Sequence, residues 1–477
     1  MIRVFFLLLT FISLVAVTSA QAAPAERTST VSDREHLNLT IYNGAMSLVH
    51  DRRTISLTSG LNRIAWRDVS ANMDPTSALL EASGAGNRVD VLEQNFNFDL
   101  LDPAALLQKS VGHEVTIVHE PRFAGERETR EKARILSAAN GIVLQYKDRI
   151  ETALRGYIVY PEIPHSLRNQ PTLTLDIESE QSARQTLDLS YMTGGLSWRA
   201  DYVGTLAPDE AHLSISGLVT LSNTSGVSYD DARLQLVAGN VNVVQPQTLR
   251  EIGTVRAGTT ADVYPANGFS QENYFEYHLY TLLRPTTILD RQTKQIALLQ
   301  AKNVPVHKSL ELRGGPQYYR SAQPDLGDRL PLGVYVTFEN KDGQLGMPLP
   351  GGIVRLYKND SRGLSQFLGS DRIDHTPKNE TVRLHLGNSF DVTARKRQTD
   401  FHIVTYCQSE SAYQITISNA KPAPQDVLVV EPIPGDWQIT AENFQYTKSS
   451  ASSANWNMRV PAEGRTVLTY TARTTWC

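Results

Sequence analysis

The sequence contains little cysteine and has no surplus of positive charge. Its 477 residues include 2 Cys, which excludes a disulfide-dense scaffold and a metal site built from four cysteines. The formal net charge is −4, whereas a protein that coats nucleic acid usually carries a basic surplus. After the N-terminal residues 1–22, no stretch is apolar over the roughly 20 residues that span a membrane. We therefore expect no nucleic-acid partner and no transmembrane segment in the mature chain.

The composition is that of an ordinary globular protein. Hydrophobic residues make up 41% of the chain and charged residues 20%. At about 150 residues per domain, this length predicts two to four domains.

The N-terminus has the pattern of an export signal. Arg3 gives a basic start, Val4–Val17 is apolar apart from two hydroxyl residues, and small residues follow. Ala20 and Ala22 match the spacing of a cleavage site. An uncleaved membrane anchor is the alternative, but the apolar stretch is shorter than a bilayer requires. We predict that residues 1–22 are a signal peptide and that the mature protein lies in the periplasm or at the cell surface of a bacterium.

Export changes how the two cysteines are interpreted. Cys407 and Cys477 both belong to the predicted mature chain, and an oxidising compartment favours a disulfide between them. Two buried free thiols are the alternative. A catalytic thiol is disfavoured, because the last residue of the chain is a poor place to hold a nucleophile in position.

Alternation of polar and apolar residues predicts strands along most of the chain. Examples are His36–Tyr42, Thr172–Ile177 and Leu213–Leu221. One short helix is predicted at Pro103–Lys109, with Asp102 as its N-cap. The fold class is therefore mainly β, with several antiparallel β-sandwich or β-barrel-like units.

Changes in the pattern divide the chain into three predicted domains. An N-terminal β-rich domain covers 30–180, and a central β domain covers 185–395. Residues 245–275 lose periodicity and are interpreted as a mobile insertion. Short strands separated by turns over 400–477 predict an immunoglobulin-like sandwich.

Six stretches have distinctive sequences and follow one another in a characteristic order. They are Leu189–Tyr202, Leu221–Gly226, Asp231–Leu234, Val237–Gly239, Leu345–Gly352 and Val354–Tyr357. Together they resemble the bacterial family catalogued as domain of unknown function 4139, which is related to mucoidy-inhibitor-A-like proteins. The resemblance covers roughly residues 185–475. Relatives often carry a helical coiled coil ahead of this domain, whereas the N-terminal part here is β-rich, as in a shorter exported branch. The family has no established active site, so the resemblance implies no catalytic residues.

Within the first of these stretches, alternation places Trp198 and Tyr202 on one face of a strand. Arg199 and Asp201 share the opposite face, where they can pair. One interpretation is that these residues only pack in the core at a structural corner, because aromatic side chains are mostly found in protein cores. The sharper hypothesis is that Tyr191, Trp198, Arg199 and Tyr202 line a surface that binds a glycan or a peptide.

Known catalytic patterns are missing. His113 and His119 are six residues apart on a predicted strand, which separates them by roughly 20 Å, too far to bind one metal ion. Gly195-Leu196-Ser197 does not continue into a serine-hydrolase elbow. Arg395–Arg397 is a short basic run that we interpret as a solvated linker. We predict no catalytic residues, no metal and no cofactor.

The sequence favours a non-enzymatic binding or structural protein of the bacterial envelope, with an envelope protein or polysaccharide as its partner. One alternative is an envelope-polymer hydrolase whose carboxylates or serine come from distant parts of the chain. Another is a module that assembles with copies of itself through strand edges. The oligomeric state and the identity of the ligand are left open.

Overall fold

The computed structural model describes residues 25–44, 46–84, 88–119, 127–164, 167–239, 268–323, 325–341 and 345–477. The fold is mainly β, as predicted. The predicted signal peptide and residues 245–267 of the predicted insertion lie outside the described residues. The end of that insertion is not irregular, because Phe269–Tyr274 forms a strand.

The chain divides into two compact units. The first contains the chain up to His36 together with His50–Tyr191, and the second contains Leu37–Val49 together with Met192–Cys477. The strands Arg34–Tyr42 and Ser47–Ser56 therefore each contribute residues to both units.

The first unit contains a four-stranded sheet around buried aliphatic residues and Trp66. Its strands, in spatial order, are Glu26–Ser29, Gly60–Arg67, Thr172–Ser179 and Val89–Asn97. The first pair is parallel and the others are antiparallel. Separately, Arg184–Thr193 pairs with Leu79–Ser83. Short 3-10 helices lie at Val31–Asp33 and Pro75–Ser77.

A smaller five-stranded sheet in the first unit has its own core. Its strands, in spatial order, are Ile150–Glu151, Val143–Gln145, Thr129–Ser137, Glu114–His119 and Tyr157–Val159. The helix Pro103–Lys109 packs Leu107 against this core. Asp102 accepts hydrogen bonds from the backbone N–H groups of Ala104 and Ala105, so the predicted helix and its N-cap are confirmed.

In the second unit, an N-terminal segment completes a sheet of much later strands. Leu37–Tyr42 pairs in parallel with Tyr229–Ala238, and Leu39 and Ile41 are fully buried. The sheet continues through Tyr277–Leu282 to Phe269–Tyr274, while Thr286–Ile288 also pairs with Tyr229–Ala238.

A second sheet of this unit carries several of the stretches that the sequence singled out. Its strands, in spatial order, are Gln292–Pro305, His212–Asn223, Leu196–Leu206, Gly352–Asn359 and Ser365–Ile373. Leu196–Leu206 and Gly352–Asn359 are parallel, so two distant stretches lie side by side.

A nine-stranded sheet surrounds a hydrophobic core of the second unit. Its strands, in spatial order, are Asp436–Glu442, Arg465–Thr475, Gln408–Asn419, Thr381–Thr405, Leu330–Glu339, His307–Arg313, Gln425–Pro432, Ser453–Val460 and Thr447–Ser450. Trp456 and Tyr470 lie on strands far apart in this order, yet their ring centroids are 4.6 Å apart. The sheet therefore folds over a shared core, as in a sandwich.

This sheet begins well before the predicted third domain. Thr381–Thr405 runs without a break through residues 395–400, and His307–Arg313 belongs to the same sheet. The predicted domain limits stay predictions about which segments fold independently. Within the described part of the chain, no helix combines the length and apolarity needed to cross a membrane.

Candidate functional site

The predicted binding residues occupy contrasting environments. Trp198 and Tyr202 are buried on the inner face of Leu196–Leu206, whereas the side chain of Arg199 is 61% exposed. Tyr191 is also buried, within the first unit. Their role in binding stays a prediction, and only Arg199 among the four offers much surface to a ligand.

Buried tyrosines of this strand and of Tyr277–Leu282 hold a distant segment with two prolines in place. The hydroxyl of Tyr202 donates to the carbonyl of Pro350 at 2.8 Å, and the hydroxyl of Tyr280 donates to that of Pro348 at 3.0 Å. A Cβ added to Gly352 would come within 2.2 Å of the carbonyl oxygen of Ala200. These contacts give the stretches Leu189–Tyr202 and Leu345–Gly352 a structural role.

The outer face contains a network around Asp201. Arg199 Nε lies 3.1 Å from Asp201, which confirms the predicted pair, while Arg355 donates at 3.0 Å and Thr220 at 2.7 Å. Burial would raise the pKa of Asp201, but these hydrogen bonds and the two guanidinium charges hold the pKa below its usual value. The carboxylate is therefore ionised and fully engaged in local contacts.

The second unit contains a cavity of about 620 Å³ beside the C-terminus, which we name the terminal cavity. Its lining residues come from three segments and are Tyr319, Arg320, Pro434, Gly435, Thr474 and Trp476. The first two end the 3-10 helix Pro316–Tyr319, the next two form the turn after Gln425–Pro432, and the last two close the final strand. The volume lies in the range typical of small-molecule sites, roughly 300–1,000 Å³.

A disulfide fixes one wall of the terminal cavity. Cys407 and Cys477 are bonded, as predicted, and the backbone N–H of Trp476 donates to the carbonyl of Cys407 at 3.1 Å. Gly435 has a φ of 73°, and a Cβ there would lie 2.2 Å from the carbonyl oxygen of Thr475. The turn and the chain end therefore approach each other closely, which leaves the Trp476 side chain half-exposed at the cavity.

A buried ion pair borders Tyr319 in the floor of the terminal cavity. Lys396 Nζ donates to Glu431 Oε2 at 2.6 Å, and the Lys396 side chain is 1% exposed. The hydroxyl of Tyr319 donates to the same carboxylate oxygen at 3.0 Å, and it lies 2.8 Å from the hydroxyl of Tyr470. Burial lowers the pKa of Lys396 although Glu431 opposes the shift. Burial also raises the pKa of Tyr319.

The position of Lys396 corrects one interpretation of the sequence. Arg395–Arg397 is not a solvated linker, because it lies within Thr381–Thr405 and its middle residue points into the core. Val392, Ala394 and Gln398 are buried as well, so period-two alternation was the signal that locates Lys396 on the inner face. The two arginines lie on the outer face and pair with Asp328.

The terminal cavity combines one exposed aromatic ring with hydrogen-bond donors. Trp476 supplies a half-exposed flat apolar surface and Arg320 adds a guanidinium at the edge, whereas the ring of Tyr319 is fully buried. Such a lining can hold the apolar face of a ring and bond polar groups at its rim. Within the described ranges, no group of three His, Cys, Asp or Glu residues is placed to hold a metal ion.

Most of the second unit lies in a region that matches a known family. A family model described as a domain of unknown function (DUF4139) matches residues 187–477, which is more than half of the chain. The chain belongs to this family. No curated protein matches the chain. The terminal cavity, the buried ion pair and the disulfide all lie inside the region matched to DUF4139.

Proposed function

We propose that this protein is an exported, non-enzymatic binding protein of the bacterial envelope and that the terminal cavity takes up its ligand. The observation that carries the proposal is the cavity itself, which has the size of a ligand site and one exposed aromatic wall, Trp476, held by a disulfide. The disulfide also supports export, because such bonds persist in oxidising compartments. The signal pattern at residues 1–22 points the same way.

A polysaccharide or protein of the envelope is the proposed ligand. The exposed ring of Trp476 suits the apolar face of a sugar ring or an aromatic side chain, while Arg320 suits hydroxyl or carboxylate oxygens. The hydrolase alternative needs a carboxylic acid that can donate a proton near neutral pH. Glu210 lines another cavity, but Lys308 and Lys358 oppose the effect of burial and lower its pKa to about 2, so it stays ionised.

The test compares three versions of the tagged mature protein as bait on intact envelopes. The wild-type chain should enrich one class of polysaccharide or protein, and Trp476→Ser should lose most of that enrichment. Tyr406→Ser is the matched control, because Tyr406 is 93% exposed beside the disulfide but does not line the terminal cavity. Equal recovery by all three versions would contradict a role for this cavity.

Export is tested separately by cell fractionation. Mass spectrometry of the protein from the envelope fraction should show a chain that starts near Ala23. A chain found only in the cytosol with its N-terminal segment retained would refute the proposed location, whatever the binding experiment shows.

A further inference from the structure

The second unit contains another cavity, of about 250 Å³, whose walls combine charge with apolar surface. We name it the lysine cavity. Among its lining residues are Glu210, Lys308, Lys358, Leu310, Leu368 and Phe390. It shares none of its described lining residues with the terminal cavity, so the two sites are independent.

Two ammonium groups in the lysine cavity share one carboxylate. Lys358 Nζ donates to Glu210 Oε1 at 2.6 Å, and Lys308 Nζ donates to the other carboxylate oxygen. Each ammonium has three N–H donors, and Glu210 accepts one from each. Lys421 and Asp391 also line the cavity, so three cations face two carboxylates. The local excess of positive charge and donors favours an anion.

The rest of the lysine cavity is mainly apolar. Leu310 is buried in its wall, Leu368 is partly exposed, and the ring of Phe390 is 83% exposed at the cavity. The cavity's volume of about 250 Å³ lies just below the roughly 300–1,000 Å³ of typical ligand pockets. The space therefore suits a small molecule with an apolar body.

We propose that the lysine cavity binds an alkyl monocarboxylate, with its carboxylate on Lys308 and Lys358 and its chain against Leu368 and Phe390. A carboxylate is favoured over phosphate because, among the described residues, the lining includes lysines but no arginine fork. Glu210 competes with the ligand for the same ammonium groups. Removal of the Glu210 carboxylate should therefore strengthen ligand binding.

The test is isothermal titration of the full mature chain with acetate, butyrate, hexanoate, hexanol and inorganic phosphate. Hexanoate should bind saturably, and its affinity should exceed that of acetate by about fourfold for each added methylene until the chain fills the cavity. Hexanol, which lacks the carboxylate, should bind at least about tenfold more weakly. Added salt should weaken hexanoate binding, because the ammonium groups are partly exposed.

Three variants separate binding from a purely structural ion cluster. Lys358→Gln should weaken hexanoate binding about tenfold, while Glu210→Gln should strengthen it about tenfold, because the internal competitor is removed. Lys302→Gln, an exposed lysine on Gln292–Pro305, is the matched control and should change nothing. The proposal would be overturned if neither the wild-type chain nor the Glu210→Gln variant bound hexanoate saturably. Phosphate or hexanol binding as tightly as hexanoate would overturn it as well.

Discussion

Lys396 and Glu431 place two opposite charges in the core of the second unit. The pair is enclosed by aromatic rings, with Lys396 Nζ 4.7 Å from the ring centroid of Tyr318 and 4.9 Å from that of Tyr413. Removing one partner of a buried pair leaves the other charge uncompensated, which typically costs about 3–5 kcal/mol. Each of the two charges therefore depends on the other for its compensation.

Lys396→Met should lower the free energy of unfolding by about 3–5 kcal/mol, because it strands the carboxylate of Glu431 away from water. Arg397→Met, one residue along on the outer face, should change stability by less than about 0.5 kcal/mol. Denaturant unfolding followed by tryptophan fluorescence compares the two. Equal stability of both variants would show that Glu431 is not left as a buried charge.

Gly352→Ala should lower the free energy of unfolding by about 1–3 kcal/mol, because the new Cβ would meet the carbonyl oxygen of Ala200 at 2.2 Å. Gly44→Ala is the matched control, since no atom lies within 4 Å of its added Cβ. Thermal unfolding of both variants checks the structural role of the Leu345–Gly352 stretch. If both variants have the same melting temperature, the two parallel strands can move apart enough to accommodate the added Cβ.

The lowered pKa of Glu210 predicts that the protein loses stability in acid. Its pKa falls from 4.5 to about 2 in the folded chain, since the hydrogen bonds and charges of Lys308 and Lys358 outweigh its burial. A lowered carboxyl pKa adds stability above pH 4.5 that is lost as pH falls towards about 2. Glu210→Gln should therefore flatten the decline in melting temperature over that interval. Glu276→Gln, on an exposed carboxyl, should leave the decline unchanged.

At the scale of elements, the disulfide ties the start of one strand to the end of another. Cys407 directly precedes Gln408–Asn419, and Cys477 follows Arg465–Thr475, which pairs with it in antiparallel register. The bond encloses a loop of 70 residues, for which chain entropy gives a stabilisation of about 4 kcal/mol. It also closes the exposed tip that carries Tyr406 and Trp476.

Replacing both cysteines with serine should lower the free energy of unfolding by about 4 kcal/mol and free the Trp476 wall of the terminal cavity. Mass spectrometry of the unreduced wild-type protein should show the two cysteine peptides linked. Serine variants as stable as the wild type would contradict a structural contribution from the bond. Free thiols in the wild-type protein would refute the bond itself.

The helices and strands that depend on cues from neighbouring residues were the most predictable from the sequence. The helix Pro103–Lys109 and the strand Leu196–Leu206 follow from local cues, which are a capping aspartate and period-two alternation. The two cavities were not predictable, because their walls join segments more than a hundred residues apart. Lys358 and Glu210, for example, meet only because distant strands pair in parallel.

At the scale of the whole molecule, the region matched to DUF4139 is not a complete unit. The match begins at residue 187, yet Leu37–Val49 belongs to the same compact unit as Met192–Cys477. Leu39 and Ile41 bury their side chains in a strand that pairs with Tyr229–Ala238. Without this strand, one edge of Tyr229–Ala238 loses its backbone partner and apolar cover.

A fragment of residues 187–477 should therefore be less stable than the same fragment mixed with a synthetic peptide of residues 34–49. The peptide should raise its melting temperature in proportion to the logarithm of peptide concentration, because it binds only the folded form. A peptide with Leu39→Asp and Ile41→Asp should have no effect. A fragment that is monomeric and equally stable without peptide would show that the N-terminal strand is dispensable.

The parallel pairing of Asn38 with Arg233 imposes an order of events on a newly made chain. Synthesis proceeds from the N-terminus, so Leu37–Tyr42 emerges long before its partner strand exists. Contacts between residues so distant in sequence form slowly, because a long loop must close first. The edge of this segment that pairs with Tyr229–Ala238 must therefore stay open until that strand is made, although its other edge can pair early with the neighbouring strand Ser47–Ser56. A chaperone that shields extended apolar segments would serve this protein most during that interval.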